Sequence, residues 1–211
     1  MNERFQRAMA LFDAANAEDP NQENDNGIAV PKELLYAQRM SAMLARYAPA
    51  APEAVQLAVR AQHIQRWKIP RRDFPMTLPG YKKWRTTLYG FHADLAAKLL
   101  QEAGYDEEMI NRVKAAVGKR GLNTNSDSQL VEDVVGLVFV EDYIATFAAM
   151  HPEYDEAKWV DIIRKTWHKM SDGAHQFALS GHIHLPEHLA ALIGKAVATQ
   201  AAEANAPSPA D

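Results

Sequence analysis

Gln129-Leu130-Val131-Glu132-Asp133-Val134-Val135-Gly136-Leu137-Val138-Phe139-Val140-Glu141-Asp142-Tyr143 decides the fold. Read at 3.6 residues per turn, this stretch is apolar nearly all the way round, so it belongs in the middle of a core. Ser126 or Asp127 can cap it, and the pattern predicts a helix over 129–150. Its two adjacent carboxylates are the anomaly. A buried ionised carboxylate must neutralise or find a cation, so Glu132 and Asp133 predict either a structural ion pair or a functional site. Gly136, one turn beyond Glu132, removes bulk on that face and lets another helix or a ligand come close.

Helical period recurs on both sides of this segment, with no two-residue alternation bounded by hairpin turns. A first helix is predicted over 3–17, with Phe5, Met9 and Phe12 on one face, followed by a polar loop over 21–27. Pro31 opens a second helix carrying Leu34, Leu35, Met40, Met43 and Leu44, and Pro52 opens a third that runs to Trp67. Pro70, Pro75 and Pro79 forbid regular helix between Ile69 and Gly80 and predict a fixed irregular loop. Further helices are expected over 81–103, stopped by Gly104, over 106–117, over 155–170 and over 186–202. The expected architecture is all-α, a single compact bundle of about eight helices over 1–198 with a disordered tail over 199–211.

Composition narrows the chemistry. The 211 residues contain no cysteine, which excludes disulfides, thiolate metal sites and cysteine nucleophiles and leaves His, Asp and Glu as metal ligands. No run approaches the roughly 20 apolar residues needed to cross a bilayer, and Met-Asn-Glu-Arg-Phe-Gln-Arg lacks the apolar core of a secretory signal. A cytoplasmic protein without a membrane partner is expected. Gly-rich phosphate loops, dinucleotide fingerprints and the Gly-x-Ser-x-Gly and His-Glu-x-x-His motifs are missing from the sequence.

The formal charge of −4 is unevenly spread. Between residues 60 and 85 eight Lys and Arg stand against the single acid Asp73, a local +7 that leaves −11 for the rest. This stretch, next to His63, suits an anionic ligand such as a phosphate or carboxylate, with Arg66, Arg71 and Arg85 as bidentate clamps and Trp84 as a stacking surface. The alternative is a solvated loop with packing aromatics. Lys165 and Lys169, four apart on one helix face, extend the positive surface, although basic residues also complement a helix C-terminus. His63, His92 and the acidic pair supply the ligand types that a non-thiolate divalent ion prefers. His182 and His184 sit in a short loop without an acidic neighbour and read as loop residues.

Gln62-His63-Ile64-Gln65-Arg66-Trp67, Pro70-Arg71, Gly80-Tyr81, Trp84-Arg85, His92, Gly104-Tyr105, Gln129 to Asp133 with Leu137 to Glu141, and Lys165-Thr166-Trp167 with Lys169-Met170-Ser171 resemble the uncharacterised family called domain of unknown function 4202, over almost the whole chain. A more distant resemblance is to the HD superfamily of metal-dependent phosphohydrolases. That resemblance implies an HD-like helical core in which His63 is similar to the first metal-binding His, His92 to a later one and Asp133 to the final Asp. It implies a divalent ion such as manganese, nickel, iron or zinc, a phosphorylated substrate, and Glu132 with Asp133 in catalytic roles. No His-Asp doublet occurs here, so the usual ligand set is complete only if Glu132 or Asp94 substitutes.

Two functions follow as expectations: a metal-dependent hydrolase of a phosphorylated or other anionic small molecule, or a non-catalytic module that binds an anionic metabolite, RNA or a protein partner through residues 60–85.

Overall fold

A computed structural model describes residues 3–122, 124–184, 190, 191 and 193–195. The chain divides into two compact units, Met1–Val134 and Val135–Asp211. Helix dominates the described residues, in keeping with the fold class expected from the periodicity.

In the first unit, α1 (Glu3–Ala17) buries Phe5, Ala8 and Phe12. It leads into a hairpin of β1 (Gln22–Asp25) and β2 (Ile28–Pro31), paired antiparallel with Asp25 opposite Ile28. The hairpin corrects the predicted polar loop. Its turn residues Asn26 and Gly27 have φ of 52° and 88°, the two positive values that a tight I′-type turn demands.

Four helices complete this unit before the central segment: α2 (Lys32–Tyr47), α3 (Glu53–Ala61), α4 (Leu78–Ala103) and α5 (Glu107–Val117). α4 packs on α5 and α1, and α3 on α5 and α2. α3 stops at Ala61, six residues short of the predicted end, because Gln65 takes a left-handed conformation at φ 50°. Asn16, buried at the end of α1, holds that turn by accepting from Gln65 N at 3.0 Å. Short 3₁₀ turns at Arg66–Lys68 and Arg71–Asp73 carry the proline loop to α4. α4 begins at Leu78, with the Thr77 hydroxyl accepting from Gly80 N at 3.3 Å. Any β-carbon at Gly80 would lie 2.1 Å from the Pro75 carbonyl oxygen, so the loop closes only around glycine here. Gly104, at φ 89°, ends α4 as predicted.

The central helix α6 (Ser126–Val138) is shorter than 129–150. Asn125 starts it, accepting from Asp127 N and Ser128 N, which corrects the assignment of the cap to Ser126 or Asp127. Val131, Val134, Leu137 and Val138 have no exposed surface, as its all-round apolarity demands.

In the second unit the helix loosens to a π-helical turn at Phe139–Tyr143 before α7 (Ile144–Met150). Phe147 meets Phe139 and Trp159 edge-on. α8 (Glu156–Trp167) and an unforeseen α9 (Asp172–Leu179) follow, with Trp167 stacked on His175 at 4.3 Å. A β-carbon on Gly136 would lie 2.5 Å from Met170 Sδ, the close approach its lack of bulk foretold. Of the predicted helix 186–202, residues 190, 191 and 193–195 are helical; its other positions and the tail 199–211 lie outside the described residues.

Candidate functional site

Helical spacing assembles the site along α4. Tyr81, Trp84, Arg85, Tyr89 and His92 recur every three or four residues and so share one side of the helix. Opposite them stand the turn after α3, which supplies His63 and Arg66, and α2, which supplies Glu33 and Tyr36. His63 and His92 lie 5.9 Å apart between ring centres.

Each ring is held in a definite tautomer. His92 is buried, and its Nδ1–H donates to the Ile64 carbonyl at 2.8 Å, leaving the Nε2 lone pair buried without a partner. His63 Nε2 lies 3.0 Å from Arg66 Nη1. A guanidinium can only donate, so Nε2 accepts and the His63 proton sits on Nδ1. That proton faces Glu33 Oε2 at 3.6 Å, and Tyr36 stacks on the ring at 4.1 Å.

Positive charge dominates here. Burial first, then Arg66, His92, Lys119 and Arg85, hold His63 well below its usual range. Burial is also the main cause that lowers His92 to about 3. Both rings are therefore neutral at physiological pH. Burial likewise pushes Glu33 up to about 7, with Arg66 opposing. Trp84 is fixed by donating from Nε1 to the Ile69 carbonyl at 2.9 Å, and Arg66 lies over its ring at 4.9 Å. Arg85 donates to Tyr89 Oη from Nη2 at 2.6 Å and to Tyr81 Oη from Nη1 at 3.3 Å.

Lys119 joins this cluster from the end of α5, 5.7 Å from the Tyr89 ring. Its ammonium binds Glu132, and both side chains are largely buried. The conformation is unusual. Lys119 N reaches the Ala116 carbonyl and Arg120 N the Ala115 carbonyl, a helix-closing motif whose left-handed position normally belongs to glycine. Here Lys119 occupies it at φ 54°, although Gly118 is next to it. A left-handed conformation costs a non-glycine residue roughly 1 kcal/mol, and here it carries the ammonium to the buried Glu132 carboxylate.

The expected site residues thus separate. The structure brings together His63, His92, Arg66, Trp84 and Arg85, with Glu132 at their edge through Lys119. Asp133, expected as a metal ligand beside the two histidines, instead accepts from Tyr47 Oη at 3.3 Å and Gln129 Nε2 at 2.9 Å. Arg71, expected as a clamp, is engaged by the loop itself, donating to the Phe74 carbonyl at 3.0 Å. Lys165 and Lys169 belong to the second unit, where Lys165 pairs with Asp161 at 2.6 Å. Asp94 points away from His92, to Lys114. Among the described residues no three His, Asp or Glu side chains form a group that could hold a metal ion.

The family model described as domain of unknown function matches residues 6–193, a span that includes every member of the cluster. The chain belongs to this family, DUF4202. No curated protein and no solved structure matches the chain. In this DUF4202 member, sequence reasoning missed Glu33, Tyr36, Tyr89 and Lys119. Glu33, Tyr36 and Met40 share one buried face at helical spacing, a signal that would have placed Glu33 inward. Tyr89 follows Arg85 by one turn.

Two outcomes test this electrostatic picture. Lys119→Gly, although it removes the backbone strain, destabilises by about 2 to 4 kcal/mol because Glu132 is left buried and unpaired; adding Glu132→Leu recovers most of that loss in urea unfolding. Glu33, whose folded pKa is raised, binds its proton more tightly in the folded state. Its contribution is therefore fully present below about pH 4.5 and is lost as pH rises toward 7. Glu33→Gln removes that decline, and its stability relative to the native chain rises by about 3 kcal/mol between pH 4.5 and pH 8.

Proposed function

We propose that the chain binds a phosphorylated or other anionic small molecule at the His63–His92 cluster. The observation that carries this reading is the convergence of Arg66, Arg85 and Lys119 on two neutral imidazoles, with Glu132 as the only acid paired to them among the described residues and Glu33 raised to about 7. A ligand anion would supply the missing negative charge. Arg66 and Arg85 offer charge-assisted donors, Tyr81 and Tyr89 hold Arg85 in place, and the half-buried His63 ring leads inward to His92. Because His92 Nε2 is a fixed acceptor, it suits a hydroxyl or a protonated phosphate oxygen.

The HD-like reading asks for a divalent ion, and these residues do not suit one. His63 Nε2 is engaged by Arg66 and His92 Nδ1 by Ile64, so one lone pair remains. Asp133 is held by Tyr47 and Gln129, and three cations surround the rings. A metal ion would add to that positive field, where the nearest carboxylate, Glu33, already faces His63 and is pushed toward its neutral form by burial. We therefore read the chain as an anion-binding module before a hydrolase. Nucleic-acid binding through the same loop is less well supported, because Arg66 already covers the Trp84 ring on which a base would stack.

Calorimetric titration with inorganic phosphate and a panel of phosphorylated metabolites tests the proposal. Saturable binding is expected, with Arg66→Ala and Arg85→Ala each weakening it at least about tenfold. Manganese, nickel and zinc should leave the melting temperature unchanged. Stoichiometric metal in the purified protein, or anion binding indifferent to both arginines, would overturn it.

A further inference from the structure

The loop that leads into α4 has a side that the anion site does not use. Met76 is 79% exposed, Leu78 66% and Tyr81 42%, so half of the six large hydrophobic side chains exposed among the described residues fall within six positions. Residues 75–79 are all exposed, and so are the cations next to them, Arg72, Lys82 and Lys83. Asp73 is the only acid between residues 54 and 93.

The projection is rigid. Pro75 and Pro79 fix two backbone torsions, the Thr77 hydroxyl caps α4, and Gly80 lies against the Pro75 carbonyl so closely that no other side chain fits. Arg71 ties the base of the loop to the Phe74 carbonyl. Two aliphatic side chains are thus held in water at the tip of a braced loop, with cations immediately behind them. Neither folding nor the interior gains from this arrangement, and exposed apolar groups of this kind mark an interaction surface.

We infer that Met76 and Leu78, flanked by Arg72, Lys82 and Lys83, form a docking surface for an anionic lipid bilayer. The order of chemistry along the projection argues for lipid. Aliphatic tips match the acyl boundary, Tyr81 suits the interface, and Lys and Arg one step back meet negative headgroups. Such a loop lies on a membrane and does not cross it, consistent with the finding that no described helix is long and apolar enough to span one. The overall charge of −4 suggested no such partner, because it sums the +7 of residues 60–85 with the −11 of the rest. An RNA would use the cations but has no place for Met76 and Leu78, and a second copy of this acidic chain would bury the apolar tips without a reason for them to be ringed by cations.

Co-sedimentation of the full chain with vesicles of equal parts phosphatidylserine and phosphatidylcholine, against phosphatidylcholine alone, tests this. Binding to the mixed vesicles is expected, weakened by salt. Lys82→Ala with Lys83→Ala should lower the partition coefficient roughly thirtyfold. Met76→Glu with Leu78→Glu should abolish it while leaving phosphate titrations and melting temperature unchanged. A Met76→Trp variant should show a blue-shifted emission quenched by brominated acyl chains. Failure to sediment with the mixed vesicles, or sedimentation indifferent to Met76 and Leu78, overturns the inference. So does a dimer, or binding to a structured RNA, that the Met76→Glu, Leu78→Glu variant alone removes, since either would assign the patch to that partner.

Discussion

A carboxylate taken out of water must be neutralised or paired, and Glu132 in the central helix is paired by Lys119. The consequence runs outward from the pair. To reach Glu132, Lys119 accepts a left-handed backbone at the end of α5 that glycine would take without strain. The same turn delivers Arg120, whose carbonyl accepts from Ser128 Oγ at 2.8 Å and ties the start of α6 to the end of α5. Arg112 of α5 binds Asp127 in the first turn of α6 in the same way. The helix that is nearly all apolar is thus oriented by its few charges, since an even apolar surface by itself sets no preferred rotation.

Lys119 also contributes to the field at His63. Glu132 offsets only part of the positive charge in this region, and Glu33 is itself pushed toward its neutral form by burial. The cluster is then a set of donors and cations around neutral rings, an arrangement that a metal ion would aggravate and an anion would relieve. Gln65 and Lys119, two of three non-glycine residues with positive φ among the described residues, both border it. Strained backbone at a ligand site is a recurrent feature of proteins, because geometry there serves binding before stability.

Much of this was legible in the sequence, for reasons that differ by element. The proline at 52, the glycine at 104 and the 3.6-residue period gave most helix starts and stops. The isolation of Glu132 in apolar surroundings called for neutralisation or a cation, and the structure supplies the cation, although nothing in the spacing named Lys119, which lies 13 residues away across a turn. The hairpin escaped because Gln22, Glu23, Asn24 and Asp25 carry no apolar alternation; its signal was Asn26-Gly27. The joining of His63 with His92 depends on a left-handed residue at Gln65, held by Asn16 from a helix almost 50 residues earlier. No local pattern encodes that bond. Asp133 was expected beside the histidines because it resembles the final Asp of the HD superfamily, yet it faces Tyr47 instead, turned about 100° from Glu132 on the helix.

The protonation state of His63 decides whether positive charge governs the cluster. Nitrogen-15 NMR of the imidazole groups, followed from pH 8 to pH 5 with and without inorganic phosphate, reads tautomer and charge at each ring. His63 is expected to carry its proton on Nδ1 and to stay neutral through the range in which histidine ordinarily titrates, and phosphate to move its titration upward. A His63 that titrates normally in the free protein and is indifferent to phosphate would contradict the positive field on which the proposed function rests.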